Sequence, residues 1–453
     1  MTARQAVRSP DSRDVWRIAA PLILSNVSVP LLGMVDTGVT GHLDDPRYLG
    51  AVAVGSALFS FLFIGFNFLR MGTTGVAAQQ FGARDFDGLR SSLGQAVVTA
   101  IVVALALLLL QQPLGSIGLR LLGPDPNVLE HARTYFDIRI WSAPATLVNY
   151  VLIGWFIGLQ NARIPLAIVV TTNLVNIALD LVFVIGMDMK VAGVATASVI
   201  AEATGALLGL YFVRKTLSRY DGEWRLPALT RIGEYRRFFS INANLFVRTI
   251  ALVSTLTFVT AQGARLGGLV LAANAVLMNL QNLIAFVLDA VAHAAEALVG
   301  KALGENSKPA LEAAVRLTLR WSVLMAVAFC ALFAIAGPSL IRLLTDLPGI
   351  RQTALDYLPW MILSPAVSVW SFLYDGVFVG ATRARDMRNI MVGSAILIFL
   401  PAWYLLQPLG NHGLWLAFTL FMAGRGVGMH VAYRTRVLPS VSGERVRSAA
   451  PPI

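Results

Sequence analysis

The chain has 453 residues, of which 56% are hydrophobic and only 13% are charged, and its mean hydropathy is +0.68. A soluble protein carries about a quarter charged residues, so this composition excludes an ordinary soluble protein. The formal net charge of +11 does not indicate nucleic-acid binding, because lysine and arginine stand in short stretches between apolar runs, the distribution typical of membrane proteins.

The apolar runs predict twelve membrane-spanning helices. Each run has about the 20 residues that cross roughly 30 Å of hydrocarbon. In chain order, the predicted helices cover residues 15–41, 48–78, 91–112, 134–159, 164–186, 191–213, 237–264, 269–300, 311–336, 357–380, 387–407 and 411–433. The fold class is therefore an all-α polytopic membrane protein.

Lysine and arginine concentrate in the loops that follow the even-numbered helices, as at Arg163 and in the run from Arg214 to Arg237. Because positively charged loops stay in the cytoplasm, both termini are predicted to be cytoplasmic. The longest of these loops lies at the middle of the chain and indicates a link between two six-helix lobes. The predicted boundaries are an N-terminal tail at 1–13, an N-lobe at 14–213, an inter-lobe loop at 214–236, a C-lobe at 237–435 and a C-terminal tail at 436–453.

The two halves resemble each other at a shift of 222 residues. This shift places "YFDIRIWSAPATLVNYVLIGWFIGLQNAR" (135–163) on "YLPWMILSPAVSVWSFLYDGVFVGATRAR" (357–385), so that Gly154 falls on Gly376. A constant offset over several helix pairs indicates an internal repeat. Six helices per half keep the two repeats in the same orientation, an arrangement in which transporters rock two lobes around a central site.

The first lobe carries four polar groups at one depth of the membrane. Asp36 lies about six residues from the outer end of the first helix, and Asp180 lies at a similar depth in the fifth. Asn176 is one turn before Asp180 on the same face, and Thr196 lies at this level in the sixth helix. Two neighbouring carboxylates in hydrocarbon cannot both be charged at low cost, so one binds a proton or a cation lies between them. The alternative is that these acids only hydrogen-bond a neighbouring helix, or that Asp36 lies at the membrane interface.

The acids of the second half do not copy this arrangement. At the 222-residue shift Asp289 corresponds to Asn67, and Asp375 corresponds to Ile153. Asp289 and Asp375 lie in the middle or inner half of the eighth and tenth helices. They are candidates for attracting a cationic substrate or for assisting ion coupling.

Pro21 lies fifteen residues before Asp36 in the first helix. Proline removes a backbone hydrogen bond and permits a bend. A static kink and a hinge both remain open at this position.

The sequence has no signature of an enzyme, a nucleotide site or a metal centre. It has no GxxxxGK[ST] phosphate loop, and its five histidines and its one cysteine, Cys330, lack metal-site spacing. We expect no cofactor, and transport would have to run on an ion gradient of H⁺ or Na⁺.

Three stretches resemble the multidrug and toxic compound extrusion (MATE) transporters, specifically their DinF-type bacterial branch. They are "PLLGMVDTGVTGHL", "YLGAVAVGSALFSFLFIGFNFLRMGTTGVAAQQFGARD" and "DGVFVGATRARDMRNIM", and the similarity covers about residues 14–435. The resemblance implies two six-helix bundles forming a V, with drug efflux coupled to H⁺ or Na⁺ entry. The cation site that it implies consists of Asp36, Asn176, Asp180 and Thr196. It also implies that Pro21 is a bend point responding to protonation and that Tyr135 lies near the site.

One departure from the family pattern lies in the seventh helix. A branch of the family has a glutamate there, whereas "INANLFVRTIALVSTLTFV" carries no acid. This departure favours coupling through the first lobe.

We therefore expect an inner-membrane antiporter, not an enzyme, that exports amphipathic and cationic drugs by alternating access and acts as a monomer in the lipid bilayer. Asp36 is the expected proton carrier and Asp180 its electrostatic partner, and protonation of Asp36 lets the first helix bend at Pro21 and release substrate. Two rival functions remain: a lipid-precursor flippase of the same superfamily, and a membrane sensor or scaffold that does not transport.

Overall fold

The structure is a computed structural model that describes residues 9–41, 43, 45–224 and 232–441. Within these ranges the regular structure is helical, without a strand. Arg225 and Arg231 of the predicted inter-lobe loop, and most of both predicted tails, lie outside the described residues.

The described residues of the first half of the chain form nine α-helices. They are α1 (Ser12–Gly41), α2 (Pro46–Ile64), α3 (Phe68–Ala83), α4 (Phe86–Leu109), α5 (Gln111–Leu122), α6 (Pro126–Arg139), α7 (Ala143–Gly158), α8 (Arg163–Asp180) and α9 (Lys190–Leu217). Short turns join some of these helices, including a 3₁₀ turn at Ile140–Ser142 and a π-helical turn at Leu181–Gly186.

The second half contains longer helices. They are α10 (Arg236–Arg265), α11 (Gly268–Gly304), α12 (Lys308–Leu344), α13 (Pro348–Gly380), α14 (Ala384–Gly393), α15 (Leu400–Leu405) and α16 (Gly410–Ala432). A π-helical turn at Ser394–Phe399 connects α14 to α15.

Eleven segments within the described residues are long and apolar enough to cross a membrane, counting α2 with α3, α6 with α7, and α14 with α15 as single spans. The 30-residue helix α1 precedes them. These segments and α1 correspond one to one with the twelve predicted helices. The predicted fold class of a multi-pass, all-helical membrane protein is confirmed.

The connection between the third and fourth spans differs from the prediction. The predicted helices 91–112 and 134–159 leave residues 113–133 as a connection, whereas most of these residues belong to α5 and to the start of α6. The side chain of Asp125 accepts a hydrogen bond from the Asn127 amide at 2.8 Å, and Pro126 occupies the first turn, so this sequence begins a helix by ordinary N-capping. The same Asp-Pro pattern begins α2, where hydrogen bonding from Arg47 lowers the pKa of Asp45 to about 2.

The contacts of the chain divide it into two compact units. Of the described residues, the N-terminal unit comprises those within Trp16–Ala77 and Phe86–Ile250, and the C-terminal unit comprises those within Met1–Val15, Ala78–Asp85 and Ala251–Ile453. The core of the C-terminal unit is built from buried apolar side chains, among them Leu277, Ile284, Phe333, Met361, Trp415 and Phe421. Other apolar residues, such as Ile335 and Leu397, are more than two thirds exposed and are positioned to contact lipid.

The internal repeat is visible in how closely the backbones approach. A Cβ placed on Gly154 would lie 2.3 Å from the carbonyl oxygen of Arg70 in the N-terminal unit, and one placed on Gly376 would lie 2.2 Å from the carbonyl oxygen of Ala292 in the C-terminal unit. Arg70 and Ala292 are related by the same 222-residue shift as the two glycines. Small residues at these positions let helices pack backbone against backbone, a common device in membrane proteins.

Replacing Gly376 by alanine is expected to destabilise the protein by about 1–3 kcal/mol, because the added methyl group overlaps a backbone carbonyl that cannot move independently. Thermal unfolding of the purified protein in detergent measures the effect. Gly393→Ala is the matched control, since a Cβ there meets nothing within 4 Å and alanine is the better helix former. Equal stability of the two variants would contradict the close approach.

Candidate functional site

Two carboxylates from different helices meet inside the N-terminal unit. Asp36 on α1 and Asp180 at the end of α8 are close enough for their side chains to interact. Two ionised carboxylates cannot donate to each other, and the structure's described residues supply no other partner for Oδ1 of Asp36 or for either oxygen of Asp180. Asp180 is fully buried. The pair therefore requires either a proton, which one carboxyl donates to the other, or a cation between them.

The local backbone at Asp180 is unusual. Helix α8 ends at this residue, and the chain continues as the π-helical turn Leu181–Gly186. Single π-helical turns inside longer helices occur frequently at functional sites. The widened turn begins directly after the buried carboxylate.

Asn176 lies one turn before Asp180 and is 2% exposed. Its Nδ2 donates to Oγ of Ser198 on α9 at 3.3 Å, while its Oδ1 has no hydrogen-bond partner within the described part of the chain. Thr196 is also on α9, which packs against α8, but its hydroxyl donates to the Ala192 carbonyl at 2.7 Å. The proton of Thr196 is thus used within its own helix, and a role in holding a cation stays a prediction.

Arg139, the last residue of α6, supplies a positive charge whose field acts on the two acids. Its guanidinium interacts electrostatically with both Asp36 and Asp180. One guanidinium and two ionised carboxylates carry a net charge of −1, so one proton makes the group neutral. Sequence analysis did not single out Arg139, although it lies in "YFDIRIW" inside the predicted fourth helix. An arginine within a membrane span is itself a signal of a paired or functional charge.

Tyr135 is buried one turn before Arg139, and its ring contacts the Arg139 guanidinium. The Arg139 guanidinium lies 6.0 Å from the centroid of the Tyr135 ring and 5.7 Å from that of Phe59, a cation–π geometry. The Tyr135 hydroxyl and Oγ of Ser56 share a hydrogen bond at 3.1 Å. Pro21 lies within α1, as the sequence analysis placed it, and its role as a bend point stays a prediction.

The two acids singled out in the second half lie in the C-terminal unit. Asp375 on α13 accepts a hydrogen bond from Nη2 of Arg425 on α16 at 2.9 Å, and the side chains are 14% and 3% exposed. Sequence analysis did not identify this ion pair, because it connects positions 50 residues apart on different helices. Asp289 lies on α11 and is half-buried. A role of either acid in substrate attraction or coupling stays a prediction.

Within the residues that the structure describes, no three His, Cys, Asp or Glu side chains come together in a way that could hold a metal ion. The Asp36–Asp180 pair supplies only two carboxylates. A Na⁺ ion there would depend on neutral oxygens such as the Asn176 amide for its remaining ligands.

Comparison with known proteins assigns this chain to a family. The family model MatE matches residues 21–182 and 245–405. DNA damage-inducible protein F of Escherichia coli strain K12 is 42% identical over 433 residues, which is 95% of this chain and 93% of that protein. The two segments matched by the family model are of similar length, in agreement with the two related halves.

Solved structures share the fold at low sequence identity. A multidrug resistance MATE family transporter of the MOP superfamily, in an outward-facing conformation, aligns with a TM-score of 0.86 and 17% identity, over 96% of this chain and 97% of that one. A MATE protein in complex with MaD3S aligns with a TM-score of 0.83 and 18% identity, over 95% and 96%.

Proposed function

The chain belongs to the MatE family, and from this premise we propose that it is a secondary multidrug efflux transporter that exchanges amphipathic and cationic compounds for protons. The family consists of transporters, so the prediction that the protein is not an enzyme is confirmed. The solved relative named as a multidrug resistance transporter supports the assignment of substrate class.

The observation that carries the proposal is the Asp36–Asp180 pair with Arg139 beside it. A membrane protein retains two acids and an arginine in hydrocarbon at considerable cost, and such groups mark ion pathways by default. The pair accepts one positive charge at a time and gives it up again when the site faces the other solution. A binding site of this kind is what coupling to an ion gradient requires.

Arg139 favours H⁺ over Na⁺ as the coupling ion. A proton completes a hydrogen bond between the two carboxyls and needs no further ligands. A Na⁺ ion would need several oxygen ligands and would lie close to a fixed guanidinium charge, which repels it. Na⁺ bound by Asp36, Asn176, Asp180 and Thr196 is the alternative that the experiment below distinguishes.

We place the coupling step in α1. Protonation of Asp36 removes a charge, weakens its attraction to Arg139 and lets α1 bend at Pro21, which contracts the outward-facing cavity and releases the drug. The energy is sufficient, because 100 mV of membrane potential supplies about 2.3 kcal/mol for each elementary charge that crosses. The two lobes, at 14–213 and 237–435, would alternate between inward and outward access as a monomer in the bacterial inner membrane, with both termini cytoplasmic.

The test is efflux of a fluorescent cationic dye from proteoliposomes under imposed gradients. We expect the wild-type protein to move dye when a pH gradient is imposed and to be indifferent to a Na⁺ gradient at constant pH. Movement that follows Na⁺ instead would retain the site but change the ion. No gradient-driven movement of any dye would overturn the multidrug proposal and favour the flippase or scaffold function.

A further inference from the structure

A third carboxylate lies in the N-terminal unit, connected to the site through Arg139. Glu202 is on α9, and its charge acts on Arg139 together with those of Asp36 and Asp180. Its Oε2 accepts a hydrogen bond from Nδ2 of Asn149 on α7 at 2.8 Å. The charge of Arg139 is therefore influenced by three acids that come from three helices.

Polar side chains with unused hydrogen-bonding atoms line one face of each of two neighbouring helices. The first row, called the α7 row, begins at the end of α6 and continues into α7. Its members follow one another at intervals of three or four residues and so share a face: Arg139, Ser142, Thr146 and Asn149. Each of these four residues has a buried polar atom without a hydrogen-bond partner in the described residues. Ser142, Thr146 and Asn149 are at least nine-tenths buried.

Helix α8 presents a matching row. Thr172, Asn176 and Asp180 follow one another at intervals of four residues, so they share a face. Each again has a buried oxygen that no described residue satisfies. The row extends about 12 Å along the helix axis, at 1.5 Å per residue.

The two rows and Glu202 belong to one region. A Cβ on Gly205, one turn after Glu202, would lie 2.3 Å from Oγ1 of Thr172 and 3.3 Å from Nδ2 of Asn149, so the α7 and α8 rows converge on α9 at this level. At the other end of the α8 row, Asp180 meets Asp36. Buried polar atoms are nearly always hydrogen-bonded, and where protein groups do not satisfy them ordered water usually does.

We propose that Glu202 is a second proton-binding site of this protein, joined to the Asp36–Asp180 pair by a file of water molecules held between the α7 and α8 rows. The inference rests on the proposed antiport function for its role, though not for its existence. A proton leaves the carboxyl of the Asp36–Asp180 pair, passes along the waters and is taken up by the Glu202 carboxylate. The charge of the pair changes from −1 to −2 as that of Glu202 changes from −1 to 0, so the total charge is unchanged.

Arg139 makes this exchange possible. When the Asp36–Asp180 pair holds the proton, the pair and Glu202 carry one negative charge each. When Glu202 holds the proton, both negative charges lie on the pair, and with the guanidinium the net charge is −1 in either state. Tyr150 on α7 also interacts electrostatically with Glu202. Arg70 acts on Tyr150 with the opposite sign. In the proposed orientation of the helices Glu202 lies deeper than Asp180, so the file leads away from the outer surface.

The first measurement is independent of transport. Infrared difference spectra of the purified full-length protein, recorded between acid and alkaline pH, report carboxyl groups that gain a proton. We expect Glu202→Gln to remove one carboxyl band that Glu130→Gln retains, Glu130 being exposed in the same unit. Glu202→Asp should restore a shifted band, which shows that the loss is due to the acid and not to misfolding. Identical bands in Glu202→Gln and wild type would overturn the proposal.

The second measurement tests the connection. Thr146→Val removes a hydroxyl from the α7 row at nearly constant volume and is expected to slow pH-driven dye efflux about tenfold, equivalent to about 1.4 kcal/mol in the barrier. Thr134→Val, at an exposed hydroxyl of the same unit, is the matched control and should leave pH-driven efflux unchanged. Unchanged pH-driven efflux in both Thr146→Val and Glu202→Gln would overturn the water file. If the wild type moves no dye but its Glu202 band is present, the antiport proposal fails and the second proton-binding site stands.

Discussion

Asp36→Asn is expected to abolish pH-driven efflux, to below about 1% of the wild-type rate, the scale of loss expected when a required proton-transferring group is removed. Asparagine has nearly the shape of a protonated aspartic acid, but it cannot release a proton. The variant should therefore be held in the state that follows protonation. The measurement is dye efflux from proteoliposomes at a fixed pH gradient, with the rate normalised to the amount of inserted protein.

A matched control separates the loss of this carboxylate from a general loss of negative charge. Asp188 is exposed in the connection after α8 and has a positive φ of 51°, which asparagine adopts readily. Asp188→Asn should transport like the wild type. Because Asp36→Asn is held in the state that releases the drug, its dye binding should be weakened, and a cooperative thermal unfolding transition in detergent, close to that of the wild type, should show that the variant is folded. Efflux by Asp36→Asn at the wild-type rate would refute Asp36 as the proton carrier.

Asp180→Asn provides a comparison within the pair. Asp180 is the fully buried member, and we assign it the role of electrostatic partner rather than carrier. Its replacement should therefore reduce pH-driven efflux less than Asp36→Asn does. A larger loss in Asp180→Asn, measured in the same assay, would exchange the two roles.

The prediction of the membrane spans from sequence succeeded because it depended on one strong physical constraint. Hydrocarbon requires long apolar helices, and their lengths follow from the thickness of the bilayer. The same constraint pointed to Asp36 and Asp180, because an acid within such a helix is costly wherever it lies. The internal repeat could be detected from matching glycines in the two halves. Gly154 and Gly376 are both glycine because each lies against a backbone carbonyl, where a side chain would not fit.

The partners of these acids could not be predicted in the same way. Arg139 acts on Asp36 and Asp180 only because residues far apart in the sequence lie on helices of one unit, and no local pattern encodes that arrangement. Arg425 likewise pairs with Asp375 across two helices. A charged residue within an apolar helix can be recognised from the sequence, because burying it costs free energy. The residue of opposite charge that pairs with it depends on how several helices pack, which the sequence of one helix does not show.

The Asp375–Arg425 pair is expected to show the largest effect on stability. Removing one member of a buried ion pair costs about 3–5 kcal/mol, because the other charge is left in a poorly solvated place. Both Arg425→Met and Asp375→Leu should therefore unfold at markedly lower temperature or denaturant concentration than the wild type. The double variant Asp375→Leu/Arg425→Met removes both charges and should recover most of this loss, since well-packed apolar pairs often equal buried ion pairs in stability.

An exposed ion pair of the same unit supplies the control. Arg351 and Asp346 lie 2.7 Å apart, but Asp346 is fully exposed, so Asp346→Asn should cost less than about 1 kcal/mol. Additive losses in the Asp375/Arg425 double variant would show that the two residues act independently, contrary to the geometry. Dye binding by a stable double variant then decides what Asp375 does. Wild-type affinity assigns the acid to holding α13 against α16, whereas lost affinity for cationic dyes alone assigns it to the substrate.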